Sequence, residues 1–539
     1  MKSTQQKLYS WIRIRKDLYR QVRAHVEKRL GRHRSIESYQ LDYAKEFRKK
    51  WKISTPDKLF KVLNASQVIM LADFHALSQS QKSHLRLLKS MDPSTVRVLA
   101  MECFDQADQK WIDRYLAGRV TEYEFLKAIR WTLKWGFPWS HYRKLIQWAA
   151  ENQIRVVGLN KSSQAESLRT LHDRDRWAAQ ITSDLMRETP DIQIIIIYGD
   201  LHLAKGHLPA QLQKRLPVKT RLTRVFQNSE KIYFSLAKSS LENQVDVVDL
   251  GNDTFCLNSV PPWVKWQNYL LFLDADENLD VSEGDGELDL NDQVGQYVKL
   301  MSEELDLPAD LKQLSVFTAQ EPALWNQLEA HLDPKVLKGY RLFLENEISF
   351  YSPESQVAFL SRMSVNHAAT LAMHFLHGQS AKVKAWGFRG PEDFERLIWV
   401  FGLGYFGSKL INPKRKSDTL SDIKAAVSKP AGSEYGREAL KLALAQKMSE
   451  IIFIAHRKKQ RLTFVPRNRV SYLVAAELLG GLLGERLYNG YRQGLLSLMT
   501  LKNLMQKDWS TENFPLVYLE VMEMIETLPL AFTSKKDKL

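Results

Sequence analysis

In the first half of the chain, short apolar runs end abruptly in polar turns. Val68 to Ala72 runs into Asp73-Phe74-His75, Val96 to Met101 ends on Glu102, and Ile192 to Tyr198 ends on Gly199-Asp200-Leu201-His202. A fourth run, Ile154 to Leu159, is followed by Asn160. Continuous apolar runs of this length predict buried strands, and the periodic stretches between them, Gln81 to Met91 and Ala165 to Glu188, predict helices. Strand–helix alternation predicts an α/β fold with a largely parallel sheet flanked by helices. Residues 1–62 predict a basic helical extension with Tyr9, Trp11, Ile12, Leu18, Tyr19 and Val22 on its apolar side. The α/β domain spans 63–273, with a helical insert at 105–150 that holds Trp111, Trp131, Trp135, Trp139 and Trp148. The runs at 231–236 and 245–249 are candidate edge strands.

An acidic stretch, 274–293, predicts a linker. Asp274, Asp276, Asn278 and Asp280 have the spacing of a calcium loop, but Leu279 stands where the loop needs glycine and Asp285 where it needs glutamate. The remainder, 294–539, predicts a mostly α-helical domain. It contains an echo, Gly404-Tyr405-Phe406-Gly407-Ser408-Lys409-Leu410-Ile411-Asn412 and Gly481-Leu482-Leu483-Gly484-Glu485-Arg486-Leu487-Tyr488-Asn489, whose glycines favour close helix–helix contact over a phosphate loop, because no strand precedes either copy.

Composition adds bounds. With 539 residues, 44% hydrophobic and 26% charged, the chain is long enough for two or three globular domains. It has no apolar stretch of roughly 18 residues, so a membrane span is not expected. Two cysteines, Cys103 and Cys256, are too few for a disulfide framework, and no secretory signal is visible at the start; both point to the cytoplasm. The net charge of +15 is compatible with an anionic ligand or nucleic acid, although no nucleic-acid motif accompanies it.

The chemistry lies at the strand ends. In an open parallel sheet the ligand crevice lies outside the carboxyl ends of the strands, so His75, Glu102 and His202 are expected to converge there. Imidazole and carboxylate together can hold a metal ion or haem iron, or move protons. Asp73 is a supporting ligand or a turn residue, and His207 a further residue at the same mouth. Cys103 is read as a small buried side chain. His84, on the following helix, can face either way, and His141 and Tyr142 join the insert tryptophans as a candidate aromatic wall. A second set, His367, His374 and His377, shares one helical face and is read as packing or surface histidines, since the metalloprotease order is missing.

Residues 67–209 resemble the ChaN-like haem-binding uptake proteins, of the Tiki and erythromycin-esterase-like superfamily. Ala72-Asp73-Phe74-His75 occupies the place of the family's Gly-Glu-x-His turn. Met101-Glu102-Cys103-Phe104-Asp105, Tyr115-Leu116-Ala117-Gly118, Leu159-Asn160 and the segment from Gly199 to Pro209 follow in the family's order. The resemblance implies haem or iron binding, with His75, Glu102 and His202 as the ligand or catalytic set and Asp73 and His207 in support. It equally implies a rival, a metal-dependent hydrolase in which the same three residues hold a divalent ion. A third expectation is a non-catalytic scaffold for a partner or nucleic acid.

Overall fold

The computed structural model describes residues 4–30, 34–92, 95, 97–161, 168–280, 290–318, 322–362, 364–381, 388–428, 434–507, 514–532 and 534. Two compact units divide the chain after Leu279.

The first unit begins with α1 (Thr4–Leu30), α2 (Arg34–Glu46), β1 (Lys52–Ser54) and α3 (Pro56–Asn64). The α/β core follows as β2 (Val68–Asp73), α4 (Ser78–Ser90) and β3 (Arg97–Asp105). The insert contributes α5 (Gln109–Leu116), α6 (Glu122–Ala128), α7 (Trp131–Lys134) and α8 (Trp139–Glu151). Next come β4 (Arg155–Asn160), α9 (Leu168–Glu188), β5 (Gln193–Gly199), α10 (Leu208–Gln213) and β6 (Leu222–Gln227). The unit closes with α11 (Glu230–Ala237), β7 (Val247–Gly251), β8 (Thr254–Leu257) and α12 (Pro262–Asp280).

The eight strands form one sheet in the order β1-β7-β8-β6-β2-β5-β3-β4, parallel from β8 through β4 and antiparallel at the β1–β7–β8 edge. Side chains alternate between its two faces. Ile69, Leu71, Leu99, Met101, Ile195 and Ile197 pack with the insert aromatics Trp131, Trp139 and Tyr142. Val68, Met70, Val98, Ala100, Ile194 and Ile196 pack with Ala178 and Leu185 of α9. Burial on both faces explains why these strands read as unbroken apolar runs.

Some elements differ from the sequence reading. The 231–236 run is helical, not an edge strand: Ser229 precedes α11, whose buried side Ile232, Tyr233, Leu236 and Ala237 has helical spacing. The N-terminal region also contributes a strand, β1. Helix α12 continues through Asp280 and the second unit resumes as helix at Leu290; residues 281–289, with the end of the tested calcium loop, lie outside the described residues, as do Val96 and 165–167.

The second unit comprises α13 (Leu290–Leu305), β9 (Ser315–Phe317), α14 (Pro322–His331), α15 (Pro334–Glu345), β10 (Phe350–Ser352), β11 (Val357–Phe359), α16 (Val365–Ala381), α17 (Phe394–Ile411), α18 (Leu420–Val427), α19 (Glu434–His456), α20 (Arg469–Arg492), α21 (Leu498–Gln506) and α22 (Phe514–Glu526). Its three short strands form a small sheet. The two glycine-bearing segments fall on α17 and α20, which pack against each other. A Cβ on Gly484 would lie 2.5 Å from the Gly402 carbonyl oxygen, so the echo marks a close helix crossing. Gly484→Ala is expected to destabilise this unit by about 1–3 kcal/mol through overpacking. Gly481→Ala, whose Cβ would meet Ser417 Cβ at 3.2 Å, should cost less. Calorimetric melting of both variants checks this, and equal losses would remove the close approach as the reason for glycine.

Candidate functional site

In-register pairing sets the ends of β2, β5 and β3 side by side: Asp73 pairs with Gly199, and Met101 with Ile197. Gly199 lies among three of the expected residues. A Cβ built on it would stand 3.1 Å from Glu102 Oε2, 3.3 Å from His75 Nε2 and 3.5 Å from His202 Cδ2. Glycine therefore keeps open the point toward which the three side chains converge. The Gly199 N–H donates to Glu102 Oε2 at 2.6 Å, and the same oxygen is 3.8 Å from His75 Nε2.

Both imidazoles are oriented by carboxylates. His75 Nδ1 lies 2.9 Å from Asp73 Oδ2, and His202 Nδ1 lies 2.7 Å from Asp175 Oδ1. A carboxylate at Nδ1 places the proton there and leaves Nε2 of the neutral ring as the ligand or base, the arrangement common behind metal-bound histidines. Asp73 is buried yet well supplied with donors: the Tyr142 hydroxyl at 2.9 Å and the Gln81 amide at 2.6 Å. Burial alone would raise the Asp73 carboxyl; the imidazoles of His75 and His84 outweigh it and hold it well below the usual carboxylate range. For His75 and His202, burial opposes the charged ring, but Asp73 and Asp175 respectively prevail and raise both above 6.5.

The surroundings are aromatic on one side. The His75 ring meets Trp135 at 4.6 Å and Phe137 at 5.1 Å between centroids, and Phe137 stacks on Phe272 of α12 at 4.5 Å. His141 Nδ1 is 3.2 Å from the His75 carbonyl oxygen, and Tyr142 joins through Asp73, so the insert does wall this site. His84 faces inward, buried, with its ring beside Asp73 and Gln227. Cys103 is buried and free, and burial pushes its thiol well up, which leaves it an unreactive neighbour. Asp200, also raised by burial, is partly offset by the buried Lys265 ammonium 3.5 Å away.

His207 does not join His75 and Glu102. It stacks on Tyr39 with ring centroids 3.7 Å apart and lies beside Asp42 and His172. Asp175 connects this group to His202. Asp175, Tyr39 and Lys265 also take part, and none of them lies at the strand-end positions the sequence pattern singles out. Asp175 and Tyr39 sit within helical segments, where the only signal is a polar residue on an otherwise apolar face.

In the second unit, His374 and His377 are buried and His367 is partly buried. Burial lowers their pKa values to about 3 for His374 and about 4 for His377 and His367. His377 Nδ1 donates to the Met505 carbonyl oxygen at 2.8 Å. These are packing histidines. Because their folded pKa values lie below 6.5, the unfolded chain takes up protons that the folded unit refuses. Stability is therefore full above about pH 6.5 and falls as pH drops toward 4. The melting temperature of the second unit should decline between pH 7 and 5, and His374→Gln with His377→Gln should flatten that decline. An unchanged slope in the double variant would contradict the assignment.

Residues 59–170 match the family model described as "Haem-binding uptake, Tiki superfamily, ChaN". The matched segment includes Asp73, His75, Glu102 and the insert and stops before Asp175 and His202. Among solved structures, the chain is similar to "Cofacial heme binding to ChaN of Campylobacter jejuni", at 15% identity and a TM-score of 0.25, over 33% of this chain and 87% of that one. No curated protein matches the chain.

Proposed function

We propose that the first unit, which carries the ChaN-type segment, binds haem at the strand-end pocket, with the Nε2 atoms of His75 and His202 as iron ligands and Glu102 beside them. The observation that carries this reading is the convergence on Gly199 of two imidazoles, each fixed through Nδ1 by its own carboxylate, with Glu102 between. The donor set fits iron, which imidazole nitrogen commonly ligates. The flank of Trp135, Phe137 and Phe272 fits a flat aromatic macrocycle. Bound haem would supply an iron centre able to take up a small ligand or an electron. The chain's own contribution is to hold the two rings, with Asp73 and Asp175 increasing their basicity, and to limit solvent around a largely buried cluster. His207 acts at one remove, through Asp175. The basic net charge suits the anionic propionates of haem.

A second reading follows from Glu102. A carboxylate 3.8 Å from an Asp-oriented imidazole is also the equipment of a metal-dependent hydrolase, in which His75, Glu102 and His202 hold a divalent ion. No described helix is long and apolar enough to cross a membrane. Two buried free thiols support a reducing, cytoplasmic setting.

Hemin titration followed by Soret absorbance tests the first reading. Wild-type protein should bind saturably, and His75→Ala with His202→Ala should lose about tenfold or more in affinity. Equal binding by both proteins would remove the haem site from the strand ends. Absence of hemin binding, together with stoichiometric zinc or manganese and ester turnover lost in Glu102→Gln, would establish the hydrolase reading.

A further inference from the structure

We infer that a second site, for a divalent transition-metal ion of the zinc class, is formed by His172, Asp175 and His207, outside the strand-end pocket. One donor atom from each of the three lies within 4.8 Å of the other two, a compactness that no other such group among the described residues reaches. Three elements build it. His172 and Asp175 stand one turn apart on α9 and so share a face. His207 immediately precedes α10, and α2 packs Tyr39 and Asp42 against the cluster.

A buried, unpartnered ring nitrogen beside a buried carboxylate points to a ligand for this cluster. Asp175 is fully buried, and its oxygens accept from His202 Nδ1 at 2.7 Å and the Tyr39 hydroxyl at 2.8 Å. His207 is 4% exposed; its Nε2 lies 3.2 Å from Asp42 Oδ2, an ion-pair distance, while its Nδ1 has no hydrogen-bond partner. A buried imidazole nitrogen without a partner is costly, and ligation of an ion would offset that cost. Its ring is already held in place, near-parallel to Tyr39 at an interplanar angle of 14°. Two imidazoles and a carboxylate are a zinc-type donor set; calcium and magnesium prefer oxygen ligands alone. Tyr39, which donates to Asp175, supplies the orienting outer contact such sites use. His172 is solvent-exposed and gives the ion a way in.

The site deepens the haem reading at one residue and otherwise stands apart from it. Asp175 faces the cluster and also holds His202, so an ion here would act on the orientation of a strand-end ring.

The test is a calorimetric titration of metal-free full-length protein with zinc chloride. His75→Ala with Glu102→Gln, which removes strand-end donors, should retain one zinc equivalent. His172→Ala with His207→Ala should lose that equivalent. His172→Ala alone removes an exposed ring that meets Tyr39 at 3.1 Å; with its melting temperature checked against wild type, it should weaken zinc binding by about tenfold or more. Wild-type zinc binding in His172→Ala, or no zinc binding by the wild type, would overturn the site. Hemin titration of the same proteins keeps the two claims separate: loss of hemin binding in His75→Ala with Glu102→Gln alone bears on the strand ends, and the zinc stoichiometry bears on the α9 cluster.

Discussion

Parallel pairing of β5 with β2 on one side and β3 on the other determines where this unit's chemistry lies. The isoleucine run of β5 has β-branched side chains on both faces, so it is stable only as an interior strand covered by helices above and below. That position forces the ends of three strands to the same level. Asp73 arrives opposite Gly199, and Glu102 reaches the Gly199 amide. A shift of one residue in either pairing would carry apolar side chains into the wrong layer and separate the polar ones. The register thus serves the core and the site at once.

Burial creates the second constraint. Asp73, Glu102 and Asp175 are each almost wholly out of water, where an unpaired carboxylate is very costly. Each is matched by donors: His75, Tyr142 and Gln81 for Asp73, the Gly199 amide for Glu102, His202 and Tyr39 for Asp175. These bonds tie the insert, α2, α4 and α9 to the strand ends. Both histidines consequently have one nitrogen committed, and His75 stays about one-fifth open at its side chain. A rigid ring with an accessible face is the property that ligation or proton transfer requires.

Much of this was legible in the sequence because a buried parallel strand leaves an unmistakable trace, and the residue after it is placed by topology. His75, Glu102 and His202 could be named on that basis. The insert could be seen from its tryptophans, and the α17–α20 crossing from its paired glycines. Other features left weaker traces. β6 includes Thr223 and Arg224, and β8 spans only Thr254–Leu257, so neither reads as an apolar run. The 231–236 segment satisfies strand and helix patterns alike, and only tertiary packing decides for helix. Asp175 and Tyr39 sit inside helices whose local pattern says nothing of the histidines they meet. Nearness to His202 in sequence predicts His207 at the strand-end mouth, whereas the turn after His202 carries it toward α2 and α9.

The most direct measurement of the central claim is anomalous diffraction at the iron edge from crystals of the hemin-treated protein. A haem site at the strand ends predicts an iron peak beside Gly199, bordered by His75, Glu102 and His202. An iron peak at the His172–His207 cluster, or on the outer surface away from the strand ends, would contradict it.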